Sequence, residues 1–400
     1  MRPFPGHQPP SKKDSWGLPV RALKAGGKAA FLLGIGLLGA VVPGRLTAAE
    51  PMMDTSALTE FRGGSLNAAN QGRFDQALKS EQTALRIAQD QYGPTSLSLV
   101  PILNDVAVLQ WLLAEYRDAE ESLKWGLALV EKNLGPDDPQ VAGSLDLLAG
   151  LYGDEGRLLE AEGLEKRALV LRQALRPADP LALARTQDQL GQVELGLKNQ
   201  PQALELFLEA QKNHGKAGQP DPDFSIHLWK HLALAYSAGM DSAQAQSCLE
   251  KALETAEKNL KPGTPGRTGA LEDLADFYLA QDQPDKAKPL WESALASAGP
   301  RVGGECDVLT IPYFKGLARA EEALGDRSKA RELWLKILQA DRTAFGGRHP
   351  RVALDLMALA GLERKLGREG KAREDLKESL SILKDLFSKD HPLVLEAVSL

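Results

Sequence analysis

Cysteine is nearly missing from this chain: Cys248 and Cys306 are the only two in 400 residues. A fold stapled by disulfides is therefore excluded. Aromatic side chains make up only 6%, which suits thin helix layers better than a thick globular core. A positive balance is lacking too. The formal net charge is −6, whereas nucleic-acid binders concentrate positive charge. No Gly-Lys-Ser/Thr phosphate loop, no Gly-x-Ser-x-Gly elbow and no Asn-x-Ser/Thr acceptor occurs. The Gly-rich stretches at Gly63-Gly64 and Gly299–Gly304 follow no strand pattern. A charge-free apolar run as long as fourteen residues occurs only once, at Ala29–Val42. These absences describe a non-enzyme with no cofactor, no bound metal, no small-molecule substrate and no nucleic-acid partner.

What is present is alanine at a fixed step. Ala77, Ala119, Ala161, Ala203, Ala245 and Ala287 are each 42 residues apart. One extra residue intervenes before Ala330, and Ala372 resumes the count. A second series lies seven residues later: Ala84, Gly126, Ala168, Ala210, Ala252, Ala294, Ile337 and Ser379. A third lies twelve residues upstream: Ser65, Ala107, Ala149, Gly191, Ala233, Ala275, Ala318 and Ala360. A period of this size is the signature of a solenoid, in which each unit buries its apolar stripe against its neighbours. Small residues at fixed sites let helix backbones cross at about 8–10 Å.

Each unit reads as two helices. In the third, Leu145, Leu148, Ala149 and Tyr152 mark one face of a first helix that ends at Gly156. Ala161, Leu164, Ala168, Leu171 and Leu175 mark a second helix over roughly Leu158–Leu175. Asp179-Pro180 then disfavours further helix. Two places are irregular. In the fourth unit Gln187 and Glu194 stand where the fifth has Trp229 and Tyr236, and a linker from Gly299 to Cys306 holds the one-residue insertion. Cys248 and Cys306 fall in different layers, beyond the roughly 7 Å Cα separation a bridge allows, so both are expected as free thiols. Trp229, Trp291 and Trp334 read as core.

In the fifth unit Trp229-x2-Leu232-Ala233-x2-Tyr236, followed by Ala245-x3-Leu249-x2-Ala252, resembles the tetratricopeptide repeat. The openings Leu134-Gly135-Pro136-Asp137-Asp138-Pro139-x-Val141-Ala142, Gly347-Arg348-His349-Pro350-x-Val352-Ala353 and Asp390-His391-Pro392-x-Val394 make the 42-residue unit similar to the kinesin-light-chain subclass. The resemblance covers about Ser56 to Leu400. It implies an all-α fold, a right-handed α-solenoid of about eight antiparallel helix pairs over residues 50–400. The stretch 391–400 opens a ninth first helix and acts as a short cap.

Residues 1–49 differ from the rest. They carry seven Lys or Arg and one acid, Asp14; without them 41 basic residues face 53 acidic ones, a net charge of −12. A basic stretch ends at Lys28, Ala29–Val42 is apolar, and small residues close the segment at Ala48-Ala49. This order is that of a secretory signal cleaved after Ala48 or Ala49. Fourteen residues of helix span about 21 Å, short of the roughly 30 Å hydrocarbon core. The expected location is periplasmic or secreted; the alternative is an inner-membrane protein anchored by Ala29–Val42.

The resemblance further implies a concave groove lined by first helices, at the residue three before each small site and the one after it. The candidates are Asn104, Asp146, Asp188, Lys230, Glu272 and Lys315, with Arg319 from the second set and Trp111 further along its helix. Asn104, Asp146 and Asp188 make the first half acidic; Lys230, Lys315 and Arg319 make the later half mixed, with Glu272 and Asp276 between. The expected partner is a protein or peptide segment carrying basic residues, held by charge-assisted hydrogen bonds. The function expected is that of an exported interaction scaffold. The alternative is a structural envelope assembly factor whose solenoid self-associates into homo-oligomers. His227 and His231 lie four apart on one helix face, but no third ligand stands near them in the sequence, and they read as groove-lining or solvated histidines.

Overall fold

The computed structural model describes residues 56–70, 73–175, 177–218, 221–298, 306, 310–386, 389 and 392–399. The expected export segment, residues 1–49 with Ala29–Val42, lies outside the described residues. Among the described residues there are seventeen α-helices and no strand. No helix among them is long and apolar enough to cross a membrane.

The chain divides into two compact units between Leu197 and Lys198. The first holds α1 (Ser56–Asn70), α2 (Phe74–Tyr92), α3 (Val100–Leu112), α4 (Tyr116–Leu134), α5 (Val141–Glu155), α6 (Leu158–Ala174) and α7 (Pro180–Gly196). The second holds α8 (Gln200–His214), α9 (Pro222–Ala238), α10 (Ser242–Asn259), α11 (Pro265–Ala280), α12 (Pro284–Ser297), α13 (Ile311–Ala323), α14 (Arg327–Phe345), α15 (Pro350–Lys365), α16 (Glu369–Leu386) and α17 (Pro392–Ser399). Within each unit successive helices pack side by side. The division falls inside the fourth period, between its first helix α7 and its second helix α8.

The three small-residue series are the contacts of this packing. All eight second-helix alanines, from Ala77 to Ala372, have no exposed surface. The first-helix series, from Ser65 to Ala360, is buried throughout. So is the series seven residues after those alanines, in which Gly126, Ile337 and Ser379 replace alanine. A larger side chain at such a crossing would push the helices apart.

Helix boundaries follow from local chemistry. Asp179 and Asp221 cap α7 and α9, each accepting from two backbone N–H groups, with Pro180 and Pro222 in the first turn. His349 does the same for α15, its Nδ1 accepting from the Arg351 N–H at 3.2 Å before Pro350 continues the helix. First helices end in one repeated turn. Ala114, Gly156, Lys198, Met240, Asp282, Gly325 and Gly367 all have positive φ, at the same register of each period. At five of them the next residue donates its N–H back to the carbonyl five residues earlier, as from Glu115 to Gln110 at 2.8 Å and from Asp241 to Tyr236 at 2.9 Å.

The two cysteines are free thiols, Cys248 buried and Cys306 half-buried. Trp291 is buried, and Trp229 and Trp334 pack at the edge of apolar clusters.

Candidate protein-binding face

In the second unit the first helices α9, α11, α13 and α15 are joined by charged side chains, of which Lys230, Asp276, Lys315 and Arg319 stand at the expected register. Lys230 on α9 reaches Asp273 on α11, 2.8 Å from Nζ to Oδ2. Asp276, one turn further on α11, accepts from Arg319 on α13 at 3.0 Å. Lys315, one turn before Arg319, pairs with Asp355 on α15 at 2.7 Å, and its Nζ lies 5.7 Å from the centre of the Trp334 ring. The members differ in access. Arg319 and Asp276 are 56% and 52% exposed, Lys230 and Asp273 are half-buried, and Asp355 is buried. Glu272 stands between the Lys230 and Arg319 pairs. Burial pushes its carboxyl up to about 7; Asp273 and Asp276 add to the rise and Lys230 opposes it. Burial likewise raises Asp355 to about 6, against the attraction of Lys315.

This arrangement brings together four of the eight candidates, Lys230, Glu272, Lys315 and Arg319. A connected line of alternating charge, open to water at Asp276–Arg319, can hold the backbone and the charged side chains of an extended segment. His231, one residue after Lys230, stacks on Phe207 with ring centres 5.6 Å apart.

The first unit corrects the expectation of an acidic open groove. Asp188 is 4% exposed and accepts from Gln192 of its own helix at 3.0 Å. Asp146 is turned toward α6, where Arg172 grips both its oxygens, and it accepts from Thr186 of α7 at 3.2 Å. Trp111 is 3% exposed; its indole N–H donates to Asp154 at 2.9 Å. Its ring lies over Gly150, where an added Cβ would sit 3.0 Å from Cη2. Trp111 is interior packing between α3 and α5, not groove wall. The Asn104 amide oxygen is buried without a hydrogen-bond partner and faces Gly126 of α4. The physical reason is that register selects only a helix face. Asp146 and Trp111 turn toward groups on other helices that register does not show, and Asp188 is covered on its own helix.

Sequence reasoning missed Glu81 and Glu165, each 1% exposed. They stand four residues after a second-helix alanine, where the other six units have Leu123, Phe207, Leu249, Trp291, Trp334 and Leu376. An acid in an otherwise apolar register was the available signal.

Paired helices of about 42 residues, locked by small residues at each crossing, define a helical-repeat protein. The tetratricopeptide repeat family model matches residues 63–132 and 307–395. Those two segments are thus tetratricopeptide repeats, and the helix pairs between them keep the same 42-residue step. The chain is similar in structure to a signal-transduction ATPase of the STAND type with a tetratricopeptide repeat sensor from Pyrococcus horikoshii, with a TM-score of 0.58, 16% identity, and 87% of this chain and 51% of that chain covered. It is similar to the apo form of the quorum sensor NprR from B. thuringiensis, with a TM-score of 0.56, 10% identity, and 82% and 86% covered. It is also similar to BtubC (BKLC) from P. vanneervenii, with a TM-score of 0.48, 22% identity, and 60% and 92% covered. No curated protein matches the sequence.

Proposed function

We propose that this chain is an exported scaffold that binds a segment of another protein along the first-helix face of its second unit. The observation that carries this reading is the line from Lys230 through Asp273, Asp276 and Arg319, with Lys315 one turn away. Packed helices on either side fix the backbone of that line, so a partner would lose ordering entropy while the scaffold loses little. The pairing partner is a segment bearing basic residues, drawn to Glu272 and Asp276. Export rests on the order of residues 1–49: basic stretch, apolar run, Ala48-Ala49.

Arg319→Glu and Asp276→Lys test the face. The Asp276–Arg319 pair is over half exposed, so breaking it costs the fold about 1 kcal/mol or less. Partners captured from the native host are identified on the intact chain, and their affinity is then measured for each variant. Asp276→Lys is expected to weaken binding about tenfold, one charge contact's worth, and to flatten its salt dependence. Equal affinity and equal salt dependence in both variants place the partner elsewhere. Mass spectrometry of the chain from its native host tests export: a mature N-terminus at Ala49 or Glu50 is expected, and an intact Met1 or Arg2 terminus contradicts cleavage.

A further inference from the structure

Glu81 and Glu165 break the apolar register of the second helices, and both lie in the first unit. Each meets a second carboxyl on a neighbouring first helix, Asp105 buried and Asp146 largely covered. Glu81 on α2 and Asp105 on α3 share one guanidinium, with Arg62 of α1 placing Nε 3.2 Å from Glu81 and Nη2 2.6 Å from Asp105. Ser65 of α1 also faces Glu81. Glu165 on α6 lies beside Asp146 on α5; Arg172 of α6 directs both terminal nitrogens to Asp146, and Glu165 Oε2 has no hydrogen-bond partner. From α7 the cluster is faced by Thr186, which donates to Asp146, and by the carboxylate of Asp188.

Two ionised carboxylates held out of water against one guanidinium repel each other and lose their hydration. One proton removes both costs and supplies a donor between the oxygens. We propose that these two layers are proton-holding joints: each folds around one protonated carboxyl, so mild acidification tightens the first unit and alkalinity loosens it. Burial raises Glu81, Glu165 and Asp146 above the usual carboxylate range and brings Asp105 to about 7; Arg62 and Arg172 oppose the rise without cancelling it.

The sign follows from linkage. A raised carboxyl stabilises the fold fully below its unfolded value, near 4, and loses that contribution as pH climbs through the folded value. From about pH 7 down to pH 5 the folding constant rises by up to about tenfold per pH unit for each proton held. Glu120 of the same unit is held down to about 2, chiefly by Lys124, so its opposite contribution is lost only below that window.

Chemical unfolding of the intact chain at pH 7.5 and pH 5.5, with and without Glu81→Gln and Glu165→Gln, tests the proposal. Glutamine has the shape of the protonated acid and donates where it would. Each variant is expected to be at least as stable as the parent at pH 7.5. Each should also lose roughly a tenfold share of the parent's gain in folding constant per pH unit on acidification. Variants that are destabilised at pH 7.5 and keep the parent's full pH slope overturn it. Should a variant not fold, carbon-13 titration of the parent's carboxyls decides: Asp105 is expected to titrate near about 7 and one carboxyl of the Glu165–Asp146 pair above the ordinary carboxylate range, and ordinary midpoints throughout both clusters contradict it.

Discussion

At the scale of single residues the fold rests on a few positions where side-chain size is dictated. A Cβ on Gly316 would lie 2.2 Å from Trp291 Cδ2, and Trp291 is buried, so it has nowhere to go. Gly316→Ala should destabilise the second unit by about 1–3 kcal/mol or more. Gly361 has nothing within 4 Å of the same position, and Gly361→Ala should stabilise its helix by about 1 kcal/mol. Urea unfolding of both variants checks the pair, and equal effects contradict the packing described. Met240 has φ 62° and is 91% exposed. Met240→Gly relieves the left-handed backbone without losing a contact and should gain about 0.5–1 kcal/mol; a loss in the same measurement contradicts it. The small buried positions were legible in the sequence because size at a fixed period has one physical reading. Asp146 and Trp111 were not, because their partners Arg172 and Asp154 are chosen by side-chain reach rather than by register; Asp188 is paired with Gln192 one turn on but is buried, which register alone does not show.

Among helices, the starts were legible and the ends only partly. Asp-Pro and His-Pro pairs announce a cap followed by a preset first turn, as at Asp179, Asp221 and His349. Asp221→Ala leaves two N–H groups of α9 unsatisfied and should cost about 1 kcal/mol, read as a lower midpoint in urea unfolding. An unchanged midpoint contradicts the cap. Gly156 announces the end of α5, but Ala114, Lys198, Met240 and Asp282 close their helices in the same left-handed turn without the glycine signal. Context overrides propensity there, since the next residue's N–H returns to a helix carbonyl, as from Asp241 and Gln283. The candidate face was legible in its second half for the same reason as the fold. Lys230, Glu272, Lys315 and Arg319 keep their register across consecutive first helices, and the partners of Lys230, Lys315 and Arg319 lie on the neighbouring first helices too.

For the molecule as a whole, the central claim is that phase organises the chain: a 42-residue step, not a unique three-dimensional core, specifies each layer. The irregular fourth period, with Gln187 and Glu194 buried at apolar sites, is where the two compact units divide. The sequence marked that irregularity but could not show a boundary, because the alanine step runs through it unbroken from Ala161 to Ala203 and Ala245. The most direct measurement is excision of one period. Removing residues 242–283 joins Asp241, the cap of α10, to Pro284, the first residue of α12, and keeps every later layer in phase. Circular dichroism with thermal melting should show the parent's helical signal per residue and a single cooperative transition. Removing 242–279 instead breaks the phase and should abolish that transition in the second unit. If both excised chains melt alike, whether both folded or both lost, phase does not organise the molecule and the account fails.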